Sequence, residues 1–178
     1  MTREQLEHIV RAACTIAADS ELIIVGSQAV LAQFPDAPAE LLVSMEADVY
    51  PRNHPERAEL IEGSIGELSM FHETFGYYAN GVDETTATLP VGWQKRLVPV
   101  YGAGTAGNTG LALEVHDLLI SKYVAGREKD RRFNRAALAH NLADPGTLKE
   151  RLRTTPIGQE LQARIETQID ADGRDRHN

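Results

Sequence analysis

The sequence holds 178 residues, enough for one domain or for one core domain with a helical appendage. Hydrophobic residues make up 42% and charged residues 25%, which excludes a disordered chain, and no run of about 18 apolar residues exists to span a membrane. The net charge of −8 argues against an extended DNA-binding surface, since affinity for a phosphate backbone comes mainly from Lys and Arg. An acidic enzyme can still use nucleotides if a metal ion supplies the positive charge.

Residues 4–18 place Leu6, Ile9, Val10, Ala13 and Ile16 on one helical face. Charges interrupt this stretch, so it lacks the continuous apolar core of a secretory signal, and a cytoplasmic location is expected. The single Cys14 cannot form an internal disulfide and reads as a core thiol in a reducing compartment. Leu22-Ile23-Ile24-Val25 is a short apolar run that ends in Gly26, the pattern of a buried strand in the middle of a sheet. Ser27 is placed to cap a short helix over residues 28–33. A proline-containing loop follows at 34–38, then a second strand over about 41–50, stopped by Pro51.

Asn53 or His54 opens a third helix through roughly Ile65, with Gly63 and Gly66 marking its end. Further strands are expected at 75–78, 96–101 and 110–115, with Asn80-Gly81 as a turn. Residues 102–110, with four glycines and no large apolar residue, form a mobile loop by the same reasoning. From Val115 the pattern is helical, broken at Gly126, around Asp144-Pro145-Gly146 and at Pro156. The sum is an α/β (α+β) fold. A mixed sheet flanked by helices occupies 1–114, a helical part packed on it occupies 115–170, and a polar tail frays over 171–178.

Glu46 and Asp48 carry the sharpest chemical signal. Alternate side chains of a strand share a face, so the two carboxylates point the same way, while Met45, Ala47 and Val49 point to the other face and can pack against a helix. Two such carboxylates repel unless something cationic sits between them, and a divalent hard cation such as Mg²⁺ or Mn²⁺ meets that need together with substrate phosphates. A strand ending in Gly26-Ser27 offers the complementary half: backbone N–H groups at a helix start, close approach at Gly26, and a hydroxyl donor at Ser27.

The order strand, Gly-Ser, helix, loop, strand with acid-x-acid resembles the signature of the nucleotidyltransferase superfamily. That superfamily includes DNA polymerase beta, antibiotic nucleotidyltransferases and abortive-infection toxins. The pieces here read IIVGSQAVLA and LLVSMEADVYP. Further on, GYYANGVDETTATLPVGWQKRLVPV and LEVHDLLISKYVAGREKDRRF look like an uncharacterised bacterial family placed beside those enzymes. The resemblance implies a nucleotidyltransferase-like mixed sheet and transfer of a nucleoside monophosphate from an NTP, with release of pyrophosphate. By position, Gly26 and Ser27 would hold the triphosphate, and Glu46 and Asp48 would bind Mg²⁺. Lys122 and Asp130 stand where related toxins place a lysine and an aspartate that contribute to the site, and Lys122, or Arg127 through its fork geometry, could neutralise charge on the phosphates.

The acceptor stays open between RNA, protein and a small molecule, and a role as the toxin of a toxin–antitoxin pair would imply an antitoxin partner. Active members usually present a third carboxylate from a neighbouring strand as general base or further ligand. Asp83 is favoured for it over Glu84 and Glu114. Without one, the alternative is a catalytically silent module that binds a nucleotide or a partner protein. Other signals fall away: His54, His72, His116 and His140 lack paired metal spacing, and Gly102-Ala103-Gly104 lacks the context of a dinucleotide site. Trp93 is expected to anchor its loop by burial, and Tyr77 and Tyr78 to straddle two faces of a strand.

Overall fold

In the computed structural model, which describes residues 1–174, the chain divides into two compact units. One comprises Met1–Thr86 and Leu97–Leu113, and the other comprises Ala87–Arg96 and the chain from Glu114 onward.

The first unit begins with α1 (Arg3–Ala17), opened by a capping box in which Thr2 and Gln5 satisfy each other's backbone N–H groups. Its buried face carries Leu6, Ile9, Val10, Ala13, Cys14 and Ala17. Burial pushes the Cys14 thiol up to about 12, so it stays protonated and behaves as a small apolar side chain. Five strands, β1 (Glu21–Ile24), β2 (Glu46–Pro51), β3 (Tyr78–Gly81), β4 (Val98–Val100) and β5 (Thr109–Ala112), form a mixed sheet in the order β3-β2-β1-β5-β4. The apolar β1 lies in the middle, antiparallel to β2 and parallel to β5, while β3 runs parallel to β2.

Helix α2 (Ala58–Ile65) packs on α1 and on β2 and β3. A Cβ on Gly81 would lie 2.1 Å from the Ala58 carbonyl oxygen, so α2 covers the sheet face to which Gly81 belongs. Register carries Ala79, Ala47 and Val49 onto that same face. The opposite face of β2 and β3 therefore presents Glu46, Asp48, Tyr78 and Asn80.

Several expectations change here. Strand β2 starts only at Glu46, after a 3₁₀ turn at Ala39–Leu41, and Met45 is 55% exposed rather than packed against a helix. Gly63 lies inside α2, which follows a 3₁₀ turn at Pro55–Arg57. The strand expected at 75–78 begins only at Tyr78: Phe75 ends α3 (Met70–Phe75), where Ser69 Oγ accepts from the His72 N–H, and Gly76 closes that helix at φ 74°. Asn80-Gly81 lies within β3 and is no turn. The glycine-rich loop contains a 3₁₀ turn, Ala103–Thr105, that is held by Glu7, whose carboxylate accepts from the Gly104 N–H at 3.2 Å. A Cβ on Gly102 or Gly104 would come within 2.7 or 2.8 Å of that carboxylate, so these glycines serve a tie, not mobility.

The second unit contains α4 (Val115–Ala125), α5 (Glu128–Ala139), α6 (Pro145–Arg153) and α7 (Gln159–Arg174), divided where Gly126, Asp144-Pro145 and Pro156 predict. The segment Ala87–Arg96 belongs with them because Arg96 grips the buried Asp117 through two hydrogen bonds, at 2.7 and 3.0 Å, and the Val91 N–H donates to the Thr154 carbonyl. Trp93, on this segment, is half-buried. Helix α7 runs through Arg174, so residues 171–174 are helical rather than frayed, and the rest of the expected tail, 175–178, lies outside the described residues. Among the described residues no helix is long and apolar enough to cross a membrane.

Candidate functional site

The first unit brings the Gly-Ser motif and the acidic pair into contact. The Val25 N–H donates to the Asp48 carbonyl at 3.0 Å, extending the β1–β2 pairing to the point where β1 gives way to Gly26. A Cβ on Gly26 would lie 2.0 Å from Asp48 Oδ2 and 2.8 Å from its Cγ, so the Asp48 side chain rests directly on the Gly26 backbone. Ser27 opens a 3₁₀ turn, Ser27–Ala32, with Gly26 in the capping position. The capping position expected for Ser27 thus falls one residue earlier, on Gly26.

Strand β3 supplies two further residues. Tyr78 stands opposite Glu46 and Asn80 opposite Asp48. The Tyr78 hydroxyl donates to Glu46 Oε2 at 3.2 Å, and Asn80 Nδ2 donates to Asp48 Oδ1 at 3.1 Å. These neutral donors offset part of the like-charge repulsion between carboxylates that share a face. Burial, reinforced by the Glu46 charge, pushes the Tyr78 hydroxyl up to about 12, so it keeps its proton and remains a donor at neutral pH. The His72 ring tilts against Tyr78 at a centroid distance of 4.6 Å. The Leu68 N–H donates to His72 Nδ1, which leaves the proton of the neutral imidazole on Nε2.

Among the described residues no third carboxylate joins this pair in a metal-holding group. Asp83, favoured for the role, lies beyond the end of β3, where its carboxylate accepts from the Thr85 N–H and hydroxyl at 2.8 and 2.6 Å. These bonds hold it below the usual carboxylate range. Glu114 caps α4 and pairs with His116 Nδ1 at 2.7 Å. Among the described residues no group of three His, Cys, Asp or Glu side chains could hold a metal ion.

In the second unit, Lys122, Arg127 and Asp130 converge. The break at Gly126 turns α5 back so that Asp130, fully buried, receives the Lys122 ammonium at 3.3 Å and the Arg127 Nε at 2.6 Å. Lys122 also sits 4.4 Å from the centroid of the Phe133 ring. It is only 7% exposed, because a lysine can be buried where a carboxylate and an aromatic face replace water.

A family model described as "Nucleotidyltransferase of unknown function (DUF6036)" matches residues 4–169, nearly the whole chain. The chain belongs to this nucleotidyltransferase family. No curated protein and no solved structure matches it significantly.

The donor set of this nucleotidyltransferase suits a hard divalent cation. Glu46 and Asp48 offer carboxylate oxygens, and the absence of a side chain at Gly26 is what lets the Asp48 carboxylate stand where it does. Tyr78 and Asn80 escaped sequence reasoning because Asn80-Gly81 carries a turn signal. A strand begun at Tyr78 would have shown Y-x-N alternating opposite E-x-D.

The capping and ligand-binding roles of Ser27 separate cleanly. Ser27→Ala is expected to change unfolding free energy by less than about 0.5 kcal/mol, because Ser27 stands inside the turn and not at its capping position. It should weaken NTP affinity about tenfold, the worth of one hydrogen bond to a charged group. Thermal melting and calorimetric titration on the same variant check both. A large stability loss with unchanged affinity would return Ser27 to a structural role.

Proposed function

We propose that this nucleotidyltransferase moves a nucleoside monophosphate from an NTP to an acceptor, with Glu46 and Asp48 holding Mg²⁺ or Mn²⁺ and Gly26-Ser27 receiving the triphosphate. The contact of the Asp48 carboxylate with Gly26 carries this reading, since it joins a phosphate-binding turn to an acidic pair. The cation, when bound, neutralises phosphate charge and polarises the phosphorus centre. Glu46 and Asp48 orient it, each steadied by a β3 donor, and the Ser27 hydroxyl donates to a phosphate oxygen. Lys122 and Asp130 take their proposed part in nucleotide binding from the resemblance to related toxins, and Arg127 takes its part from the fork geometry with which a guanidinium meets phosphate. Arg127→Ala should then weaken NTP binding.

Asp48→Asn tests the core of the reading. It should lower affinity for Mn²⁺ with ATP beyond the roughly 10–100-fold loss seen when a residue merely supporting a ligand is removed. Unchanged calorimetric affinity would remove the metal site.

A second reading, a nucleotide-binding module without turnover, draws support from β3, which sets Asn80 and Tyr78 beside the pair and no acid. Incubation with each labelled NTP, Mg²⁺ and total cellular RNA or protein separates the two. Label transferred to an acceptor supports the enzyme, and binding without transfer supports the module. A toxin role, suggested by the likeness to abortive-infection toxins, would appear as growth arrest on cytoplasmic expression that Asp48→Asn relieves.

A further inference from the structure

Building on the cation reading of Glu46 and Asp48, we propose that Asn80 and Tyr78 are positioning residues that fit the site to a single divalent cation, and that Asn80 excludes a second. Asn80 stands opposite Asp48 in the parallel β2–β3 register, close enough for a direct side-chain hydrogen bond of 3.1 Å. Its amide nitrogen binds Asp48 Oδ1, and Tyr78 binds Glu46 Oε2 in the same manner. Each carboxylate therefore has one oxygen fixed by a neutral donor, which sets its rotation without adding charge.

Charge bookkeeping then decides the cation number. Two carboxylates match one divalent cation. A third carboxylate in this cluster would leave an uncompensated negative charge and call in a second ion. Asparagine has the shape of aspartate but the opposite hydrogen-bonding sense at one atom. At position 80 it donates to Asp48 where an aspartate would oppose it, oxygen against oxygen, at about the present separation of 3.1 Å. Of the other acids near this end of the sheet, Asp83 is engaged with Thr85 past the strand end and Glu62 accepts from the Gly81 N–H at 2.8 Å, and among the described residues no third acid completes a metal-holding group with the pair.

Counting Mn²⁺ bound by the full chain, by electron paramagnetic resonance without nucleotide, tests this. The wild type should bind one equivalent, which Asp48→Asn removes. Asn80→Asp should bind two, the first about tenfold more tightly than in the wild type. Asn80→Ala, which loses the donor without adding charge, should still bind one, about tenfold more weakly, with a melting temperature close to that of the wild type.

One equivalent of unchanged affinity in Asn80→Asp would overturn the proposal and leave the cation reading standing, as would two equivalents in the wild type. If Asn80→Asp fails to fold, Asn80→Ala decides: unchanged Mn²⁺ affinity overturns the positioning role. Absence of any Mn²⁺ sensitive to Asp48→Asn in the wild type would instead bring down the cation reading, and this proposal with it.

Discussion

Gly26→Ala is expected to abolish ligand binding while leaving most of the fold intact. The new methyl carbon would fall 2.0 Å from Asp48 Oδ2, 2.8 Å from Cγ and 2.9 Å from Cβ, distances that no real contact tolerates. The whole Asp48 side chain must swing away, because the contact runs along its length and not only at its tip. Strain of this kind costs about 1–3 kcal/mol. The larger effect is on the site, where Asp48 loses its place beside Asn80 and over the turn. Cation and NTP affinity should fall roughly 100-fold or more, since displacing a ligand exceeds the loss from removing its support. Gly63→Ala is the matched control. No atom lies within 4 Å of its added carbon, and inside α2 it should stabilise by about 0.5–1 kcal/mol with unchanged binding. Retained affinity in Gly26→Ala would mean that Asp48 is not a ligand.

Asp130→Ala should produce the largest stability loss of the substitutions considered. It removes the carboxylate that the buried Lys122 ammonium meets at 3.3 Å, and breaking a buried pair from one side costs about 3–5 kcal/mol. Urea unfolding should show the midpoint collapse, and adding Lys122→Met should recover most of it, because the uncompensated charge leaves with the lysine. Failure of the double variant to recover would place the loss elsewhere, for instance in the Arg127 contact. The pair also fixes a pH dependence. Burial alone would raise the Asp130 carboxyl, but the hydrogen bond from Arg127 and the charge of Lys122 outweigh it and hold it below the ordinary range. The unfolded chain then takes up its proton first, near the usual aspartate value of about 3.9. The contribution of the pair is therefore complete above that pH and is lost as pH falls toward and through the lowered folded value.

Much of this architecture is legible in the sequence, and the illegible parts share a cause. Helix α1, the central strand ending at Gly26, the alternating Glu46 and Asp48, and the helices after Val115 announce themselves through periodicity and local punctuation. Helix α3 is six residues long, too short for a period to show, and its aromatic residues suggest a strand instead. Asn80 and Gly81 mimic a hairpin, yet one is there to bind Asp48 and the other because the Ala58 carbonyl leaves no room for a side chain. Glu7 and Gly104 stand 97 positions apart, and Arg96 finds Asp117 on a different element. Such partnerships are decided by tertiary proximity, so local pattern is silent about them. In the site, the acids were visible as a motif, whereas the neutral donors that hold them were visible only once the strand register was known.

The position of β1 in the sheet has a consequence for the nascent chain. One of its edges is covered early, when β2 emerges, but the other must wait for Thr109–Ala112. In the interval the ribosome delivers Ala87–Arg96, which belongs with helices not yet made. A chain halted at Thr86 would present the backbone of Leu22–Ile24 as an open apolar edge, the kind of template on which like strands assemble. Closing that edge requires a distant parallel pairing, the slowest class of contact to form. Soluble yield should therefore depend on how quickly residues 97–113 follow the first half out of the ribosome.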